Sequence, residues 1–340
     1  MGLTVGEAIH IFIMKKRILV TGGAGFIGSN TCENLISEGH DVICLDNFIT
    51  GRRINIEHLL ESPSFHLIEG DIRNIEDCRK AVANIDVVLH LAALGSVPRS
   101  IADPITTNDI NINGFLNMIV ATRDAGIKRF VYAASSSTYG DSESLPKVED
   151  VIGKPLSPYA ITKYVGELYA DVFAKTYGME CIGLRYFNVF GRRQDPAGAY
   201  AAVIPKFVDT LLNHESPIIN GDGSFSRDFT YIDNVIQINK LAMFTDKQEA
   251  LNQVYNVAFG ESSTLNELFE EIKTNLTKYD QEVGSINCIH GEFRKGDIPH
   301  SLASIDKAKK KLNYNPTHNL KEGLKETINW YYESAKKSKE

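Results

Sequence analysis

The chain has 340 residues, of which 43% are hydrophobic and 23% charged, and this composition suits a globular enzyme with a large core rather than a disordered chain. Its formal net charge is −7, with lysines and arginines scattered, so it carries no electrostatic footprint for nucleic acid. A small anionic ligand is not excluded, because such a ligand needs only a local cluster of positive charge.

Short β-branched runs alternate with longer helical patterns through the first half of the chain. Six runs are predicted strands, at 17–21, 41–45, 65–68, 87–91, 130–134 and 181–186. The helical patterns between them cover 26–38, 75–83, 106–125 and 157–177, and each is long enough for a crossover connection. This alternation predicts an α/β fold with a doubly wound parallel sheet of the Rossmann type.

The pattern changes after Tyr186 to irregular stretches that contain glycine and proline. One more strand of the main sheet is predicted at 254–258, and amphipathic helices are predicted at 264–276 and 304–335. We therefore expect two parts. The first is a Rossmann domain over 1–186 with a returning segment at 228–260, and the second is a smaller C-terminal α/β lobe built from 187–227 and 261–340.

A glycine-rich turn follows the first predicted strand and opens the first helix. Gly22, Gly25 and Gly28 permit a tight turn there, and they let the backbone approach a pyrophosphate at the positive end of the helix. Asp46 ends the second predicted strand, where a carboxylate accepts hydrogen bonds from ribose hydroxyls and repels a 2′-phosphate. The pattern predicts NAD rather than NADP.

Three residues near this site leave alternatives open. Arg52 and Arg53 lie close enough to Asp46 in sequence to suit a 2′-phosphate, although arginines in a loop are more often surface residues. Asp71 follows the third predicted strand, where its side chain suits either the adenine edge or a helix cap.

Tyr159 and Lys163 are four residues apart on the predicted helix 157–177, so they share one face. A free tyrosine has a pKa near ~10, and a neighbouring ammonium together with a positive nicotinamide ring lowers that pKa, which makes Tyr159 a usable general base. Taken alone, this spacing is more often a half-buried ring beside a lysine. The hydroxyl-rich run 135–139 favours catalysis, because it follows the fifth strand at the edge where open α/β folds bind ligands.

The sequence resembles the extended short-chain dehydrogenase/reductase family, and within it the UDP-N-acetylglucosamine 4-epimerases of bacterial surface-polysaccharide pathways. The similarity covers nearly the whole chain from Arg17, and segments 91–100, 133–141, 157–163, 185–196 and 226–231 carry it. The resemblance implies that the Rossmann domain binds NAD and that the smaller lobe binds a UDP-sugar. It also implies a homodimer formed through the helices near 106–125 and 157–177.

The resemblance further implies a redox-neutral cycle. Tyr159 takes the proton of the sugar 4-hydroxyl while C4 gives a hydride to NAD, aided by a hydrogen bond from Ser135 or Ser136. The 4-keto sugar then turns about its link to the diphosphate and receives the hydride on its other face. Lys163 tunes Tyr159 and holds the nicotinamide ribose.

The expected contacts fall into two sets. The cofactor contacts are Gly22, Gly25, Phe26, Ile27, Gly28, Asp46, Asn47, Asp71, Ile72, Ala92, Lys163 and Tyr186. The substrate contacts implied by the resemblance are Gly95, Ser96, Ser135, Ser137, Tyr159, Asn188, Gln194, Ala202, Arg227, Arg294, Asp297 and Ser301. Guanidinium forks suit Arg227 and Arg294 to the diphosphate and uridine end, and Asp297 suits the UDP ribose.

Ser301 bears on which sugar is accepted. Epimerases restricted to unacetylated hexoses carry a bulky side chain at the matching position, which would collide with an N-acetyl group. The small Ser301 therefore favours UDP-N-acetylhexosamine as the substrate, although the uronic acid of the same sugar stays open and UDP-glucose is a further alternative.

Other reaction classes are weighed against this reading. A 4,6-dehydratase would carry Asp-Glu where this chain has Ser136-Ser137, so dehydration is disfavoured. A UDP-xylose-forming decarboxylase is more distant. A non-catalytic NAD-binding sensor of the same fold would commonly lack the pair formed by Tyr159 and Lys163.

Neither metal nor membrane is expected. The nine histidines show no metal-ligand spacing, and the apolar patch 9–14 is too short to cross a bilayer. The five cysteines contain no CxxC pair and are expected to be reduced, which predicts a cytoplasmic location. Residues 1–13 are expected to be an extension ahead of the fold.

Overall fold

The computed structural model describes residues 15–196, 201–293 and 298–337, so Arg294, Asp297 and the expected extension 1–13 lie outside the described residues. The strands in these ranges are β1 Arg17–Thr21, β2 Asp41–Asp46, β3 Phe65–Glu69, β4 Val87–His90, β5 Arg129–Ser135, β6 Glu180–Tyr186, β7 Val189–Phe190, β8 Ile218–Asn220, β9 Ser226–Arg227, β10 Thr230–Tyr231, β11 Gln253–Val257, β12 Ser263–Thr264 and β13 Ile289–Gly291. The α-helices are α1 Phe26–Ser37, α2 Ile75–Ala81, α3 Val97–Ala102, α4 Pro104–Asn108, α5 Gly114–Asp124, α6 Pro158–Tyr177, α7 Val203–Leu212, α8 Ile232–Phe244, α9 Leu265–Leu276, α10 Asp306–Leu312 and α11 Leu320–Lys337.

Seven strands form one parallel sheet in the order β3-β2-β1-β4-β5-β6-β11. The six strands predicted for the first half are present, with ends that differ from the prediction by at most one residue, and the predicted returning strand is β11. The order of β1 to β6 is that of a dinucleotide-binding sheet, so the predicted fold class is confirmed. All carboxyl ends therefore lie along one edge, where ligands of such sheets bind.

Helices cover both faces of the sheet, which explains why its central strands are apolar on both sides. Leu19 of β1 packs with α2, α5 and α6 on one face, in a core that includes Phe115 and Phe130. Ile18 of β1 faces the other core, which includes residues of α1 and α8. This second core continues without a break into α7 and α9, so one body of apolar side chains joins the sheet to the smaller lobe.

The predicted helix 106–125 differs from the structure in its start and its middle. Helix α4 begins at Pro104, and a π-helical turn over Asp109–Asn113 separates it from α5. Within that turn, the amide of Asn111 accepts from the backbone N–H of Leu94 at 2.8 Å and donates to its carbonyl oxygen at 3.1 Å. The wider turn thus lets one side chain hold the loop that follows β4.

The predicted helix 304–335 is wrong as a single element. It is divided into α10 and α11, because Asn313 adopts the left-handed conformation with a φ of 58° that ends a helix. Pro316, three residues later, has no N–H with which to continue one.

Short strand pairs lie outside the main sheet. Strand β7 pairs with β10, β8 with β13 and β9 with β12, while α7 packs against α9. Each pair is only two or three residues long, which explains why the sequence pattern here was irregular. Across the described ranges, no helix combines the length and the apolar content that a membrane span requires.

Candidate active site

A cavity of about 350 Å³ lies at the carboxyl edge of the sheet. Its wall includes most of the expected cofactor residues, namely Gly22, Gly25, Phe26, Ile27, Gly28, Asp46, Asn47, Ile72, Ala92, Lys163 and Tyr186. The expected catalytic or substrate residues in its wall are Gly95, Ser135 and Tyr159. The structure therefore brings the glycine turn and the Tyr-Lys pair, which are far apart in sequence, into one cavity.

Backbone geometry explains the glycines at one end of this cavity. Gly22 has a φ of 69°, and a Cβ there would lie 2.9 Å from the backbone of Ala92. A Cβ on Gly28 would collide with the carbonyl oxygen of Gly22, so α1 packs directly on the turn. Gly25 precedes α1 and lines the cavity. No side chain caps this end of α1, so the first N–H groups of the helix remain available to a ligand.

Asp46 closes β2 beside this turn with a carboxylate that is 7% exposed. Its two oxygens accept from the backbone N–H groups of Ala24 at 2.9 Å and Phe48 at 2.8 Å. Burial raises the pKa of Asp46, and these two hydrogen bonds oppose the rise. A negative, fixed group at the mouth of the glycine cradle fits a ribose diol and disfavours a 2′-phosphate.

The arginines that suited a 2′-phosphate have acidic partners. Arg52 lies 3.2 Å from Asp195, and Arg53 lies 2.5 Å from Glu69. Both guanidinium groups are therefore partly neutralised beside the predicted adenosine end. The residues present fit NAD better than NADP.

The structure excludes one of the two expected roles of Asp71. Its carboxylate binds Arg73 at 2.6 Å and accepts from the amide of Asn47 at 2.8 Å, and the Arg73 guanidinium lowers the pKa of Asp71 to about 2. Asp71 does not line the cavity. The helix-cap alternative is wrong, because Asn74 caps α2. Contact between Asp71 and adenine stays a prediction.

Tyr159 and Lys163 lie on the cavity side of α6, as their spacing predicts. The Lys163 ammonium lies 5.9 Å from the centre of the Tyr159 ring and donates to the carbonyl oxygen of Ala133 at 2.9 Å. Burial lowers the pKa of Lys163 to about 8. Burial also raises the pKa of Tyr159, and a hydrogen bond with Ser135 opposes that rise.

This result corrects part of the sequence-based expectation. We expected the Lys163 ammonium to lower the pKa of the Tyr159 phenol, together with a positive nicotinamide ring. In the structure, burial of the phenol disfavours the phenolate, and the hydrogen bond with Ser135 opposes this effect only in part. The other part of the expectation, a contribution from the nicotinamide, stays a prediction.

Helix α6 is held in place one turn beyond Lys163. The Glu167 carboxylate makes a bidentate ion pair with Arg185 of β6, at 2.7 and 2.9 Å, and both side chains are buried. Since Tyr159, Lys163 and Glu167 follow one another at intervals of four residues, they lie along one face of α6. The ion pair therefore fixes the rotation of the helix that presents the Tyr-Lys pair.

The serines of the hydroxyl-rich loop differ in their hydrogen bonds and in their contact with the cavity. Ser135 accepts from the N–H of Ser137 at 3.2 Å and from its hydroxyl at 2.9 Å, which leaves the Ser135 proton to be donated elsewhere. Ser135 lines the cavity, whereas Ser136 and Ser137 do not. Of the two serines proposed to assist catalysis, the structure places Ser135 beside Tyr159.

Three groups at the same edge were not predicted from the sequence. Thr21 accepts from the N–H of Ala92 at 3.1 Å, and its hydroxyl lies 2.8 Å from Nδ1 of His90. Burial, aided by the charge of Lys163, lowers the pKa of His90 to about 3, so its ring is neutral. The third group is the carbonyl oxygen of Ala133. Polar residues that end the apolar strands β1 and β4 were the available signal for Thr21 and His90.

The remaining substrate residues fall into separate groups. Ser96 caps α3, Gln194 donates to the carbonyl oxygen of Val189 at 3.1 Å, and Ala202 precedes α7. Three others are joined through the segment that contains β9.

Those three are Asn188, Arg227 and Ser301. The side-chain amide of Asn188 donates to the carbonyl oxygen of Asp228 at 2.9 Å. The backbone N–H of Ser301 donates to the carbonyl oxygen of Ser226 at 3.0 Å. Arg227 also belongs to this segment. The structure thus brings these three substrate residues into one hydrogen-bonded neighbourhood.

Comparison with known proteins points to one family. A family model described as the NAD dependent epimerase/dehydratase family matches residues 18–258. The solved UDP-N-acetylglucosamine 4-epimerase of Methanobrevibacter ruminantium M1, in complex with UDP-N-acetylmuramic acid, is 39% identical with a TM-score of 0.88, and the match covers 95% of this chain and 100% of that one.

Two further solved structures are similar. The UDP-glucose 4-epimerase of Thermotoga maritima, with UDP-glucose, is 36% identical with a TM-score of 0.85, over 94% of this chain and 99% of that one. The UDP-glucuronic acid 4-epimerase of Bacillus cereus, in complex with UDP-glucuronic acid and NAD, is 32% identical with a TM-score of 0.84, over 94% and 99%. The cofactor is NAD.

Gly22→Ala should release NAD, because a side chain at a φ of 69° is strained and its Cβ meets Ala92 in the cradle. Retained NAD per chain, measured after gel filtration, should fall by about 5- to 150-fold, as expected for a loss of about 1–3 kcal/mol from strain and lost contact. Gly126→Ala is the matched control, since its φ is 71° and its Cβ would meet nothing within 4 Å. Equal NAD retention by both variants would contradict the cradle.

Proposed function

The chain belongs to the NAD-dependent epimerase/dehydratase family, and on that premise we propose that it is a UDP-N-acetylhexosamine 4-epimerase, which interconverts UDP-GlcNAc and UDP-GalNAc. The observation that carries the proposal is the shared cavity, in which Tyr159, Lys163 and Ser135 meet the glycine cradle. The activities of the solved relatives support a UDP-sugar as the substrate. In this proposal residues 1–186 and 228–260 bind NAD, and residues 187–227 and 261–340 bind the UDP-sugar.

The cofactor is held by groups at both ends of the cavity. The α1 N-terminus and the glycine turn receive the pyrophosphate, Asp46 receives the adenosine ribose, and Lys163 receives the nicotinamide ribose. When bound, NAD supplies an acceptor for the hydride of the sugar C4 and returns that hydride later. Because the hydride is returned, the reaction has no net oxidation.

The proton is handled by residues of this chain. The Tyr159 hydroxyl takes the proton of the sugar 4-hydroxyl and gives it back after the sugar has turned. Ser135 assists, because both hydrogen bonds from Ser137 end on its oxygen and its own proton remains to be donated. Lys163 donates to the carbonyl oxygen of Ala133, and its ammonium places positive charge 5.9 Å from the centre of the Tyr159 ring.

Epimerisation also requires a firmly held nucleotide and a sugar that turns. Arg227 is suited to the diphosphate, because its guanidinium is fixed by the carbonyl oxygens of Ser226 at 2.9 Å and Pro299 at 3.1 Å. Arg294 and Asp297 complete this end in the proposal and lie outside the described residues. The cavity wall near Tyr159 includes Ala93 and Gly95, whose small size leaves the sugar room to turn.

Ser301 supports the preference for an acetylated sugar. Its backbone N–H donates to the carbonyl oxygen of Ser226, so Ser301 lies beside the segment that contains Arg227, the proposed diphosphate ligand. A small residue in this position leaves space for an N-acetyl group. The uronic acid of the sugar and UDP-glucose are the competing substrates, and a panel of UDP-sugars resolved by C4 epimer decides among them.

We also infer a homodimer. Ile161, Leu168 and Val172 lie on one face of α6 at intervals of seven and four residues, and each is about half exposed. Ile101 and Ile105 continue this apolar face on α3 and α4, which contact α6. A second copy related by a two-fold axis would cover it with the same residues. The five free cysteines are consistent with the proposed cytoplasmic location.

Tyr159→Phe should lower kcat on UDP-GlcNAc by about 10³-fold or more, because general acid–base catalysis is lost. NAD retention should be unchanged. Tyr164→Phe, a half-buried tyrosine on the same helix, is the control and should keep wild-type activity. A wild-type protein that leaves every UDP-sugar of the panel unchanged would favour the NAD-binding sensor instead.

Ser301→Tyr should lower kcat/KM for UDP-GlcNAc by about 10²-fold through a steric clash with the N-acetyl group. Activity on UDP-glucose should be retained or improved. Ser301→Ala keeps the side chain small, so its preference between the two substrates should match the wild type. Equal losses on both substrates in Ser301→Tyr would remove the basis for the assignment.

Val172→Glu should convert the dimer to a monomer, because the substitution places a charge in the proposed apolar interface. The mass measured by light scattering should halve at micromolar concentration. Leu60→Glu, at an exposed leucine remote from α6, should leave the dimer intact. A wild-type protein that is already monomeric would contradict the inference.

A further inference from the structure

Asp228 is a fully buried aspartate that neither the cofactor site nor the catalytic group uses. Its exposed fraction is 0%, and it lies between β9 and β10. An aspartate is rarely buried unless its oxygens are well bonded, since desolvation of a carboxylate is costly. Its partners therefore indicate what it contributes.

The side chain of Asp228 binds two separate stretches of backbone. One oxygen accepts from the N–H of Phe259 at 3.2 Å, and the N–H of Gly260 lies 3.2 Å from the other oxygen. That second oxygen also accepts from the N–H of Ala303 at 3.2 Å. One carboxylate thus joins the segment after β11 to the segment 299–304.

The backbone of Asp228 joins a third stretch. Its carbonyl oxygen accepts from the side chain of Asn188, and Arg227 is its immediate neighbour in the chain. Ser301 precedes Ala303 by two residues and is bonded to Ser226. All three substrate residues of this neighbourhood are therefore tied to Asp228, although Asp228 itself does not line the cavity.

Segment 299–304 also forms hydrogen bonds with the stretches on both sides of it. On one side, the N–H of Ser226 donates to the carbonyl oxygen of Pro299 at 3.0 Å. On the other side, the N–H of Lys147 donates to the carbonyl oxygen of Leu302 at 2.7 Å, and the carbonyl oxygen of Lys147 accepts from the N–H of Ser304 at 2.9 Å. The N–H of Ala303 points toward Asp228 instead. The carboxylate therefore adds a buried contact, between these two bonded sides, that ties the extended segment to the residue next to Arg227.

We propose that Asp228 is a positioning residue for the nucleotide-sugar, whose carboxylate holds segment 299–304 in register with Arg227 and Asn188. The inference rests on the proposed function for the identity of the substrate. Asp228 touches neither substrate nor cofactor, so its removal weakens substrate binding and leaves the chemistry of Tyr159 unchanged.

Asp228→Asn is a suitable test because it keeps the shape and removes one acceptor oxygen. Burial raises the pKa of Asp228 to about 7, and the negative charge of Glu261 adds to this rise. Since the folded-state pKa lies above the ordinary value, the charged form costs stability as the pH rises through about 7, and a neutral amide should therefore leave the chain folded.

The expected result is a split between binding and turnover. In Asp228→Asn, the KM for UDP-GlcNAc and the dissociation constant for UDP measured by calorimetry should each rise about tenfold, as for loss of a buried hydrogen bond, while kcat stays within about threefold. NAD retention should not change. Asp86→Asn is the matched control, because its carboxylate also accepts a backbone N–H, that of Arg17 at 2.7 Å, at the opposite edge of the sheet.

Ala303→Pro tests the same bond from the other partner. Proline removes the N–H that Asp228 accepts and leaves the carboxylate in place. The UDP dissociation constant should rise about as much as in Asp228→Asn. If Asp228→Asn fails to fold, this second variant decides.

Three outcomes are distinguishable. Unchanged UDP affinity in Asp228→Asn overturns the proposal, and Ala303→Pro replaces that variant if it does not fold. A parallel loss of kcat, NAD binding and UDP binding also overturns the proposal, because it would indicate a general structural role. A wild-type protein that binds UDP but epimerises a different UDP-sugar overturns the proposed substrate only, since the UDP measurement still tests Asp228.

Discussion

The parallel register of the sheet is the constraint on which the site depends. Thr21 pairs with His90 across β1 and β4, and Ser135 pairs with Tyr186 across β5 and β6, so polar residues from distant parts of the chain end at one edge. Parallel strands require crossover helices, and the same connections place the start of α1 and the face of α6 over this edge. The topology of the sheet therefore makes the cofactor cradle and the Tyr-Lys pair neighbours.

Burial has opposite consequences for the two groups of that pair. It lowers the pKa of Lys163 and raises that of Tyr159, so both groups are shifted toward their neutral forms. Burial therefore favours the protonated phenol in this cavity, and the proposed reaction needs the positive nicotinamide ring to favour the phenolate. In the proposed reaction Tyr159 is thus deprotonated only when the cavity is loaded, which is a physical reason for burying the pair.

The sequence predicted the elements whose periodicity is strong and missed those set by single residues. Strands β1 to β6 were located within one residue, because buried parallel strands are short apolar runs bounded by polar residues. The break between α10 and α11 depends on the left-handed Asn313, and the π-helical turn depends on Asn111, and neither leaves a periodic signal. In the site, the motif residues of the cavity were predictable, whereas the hydrogen bonds of Asp71 and Asp228 depend on contacts between segments that are distant in sequence.

The two halves of the site differ in how they are held, and this difference matches the proposed reaction. The cofactor end is fixed by backbone geometry, since the cradle glycines leave no room for a side chain and Asp46 is bonded to two N–H groups. The proposed nucleotide end is fixed by hydrogen bonds among short segments that meet at Asp228. Between them the wall is made of small and apolar residues such as Ala93 and Gly95, which offer few fixed partners to a sugar. A ring that must present both faces to one hydride acceptor needs this sequence of rigid, loose and rigid contacts, because a tight grip on the sugar would stabilise one orientation and prevent its return in the other.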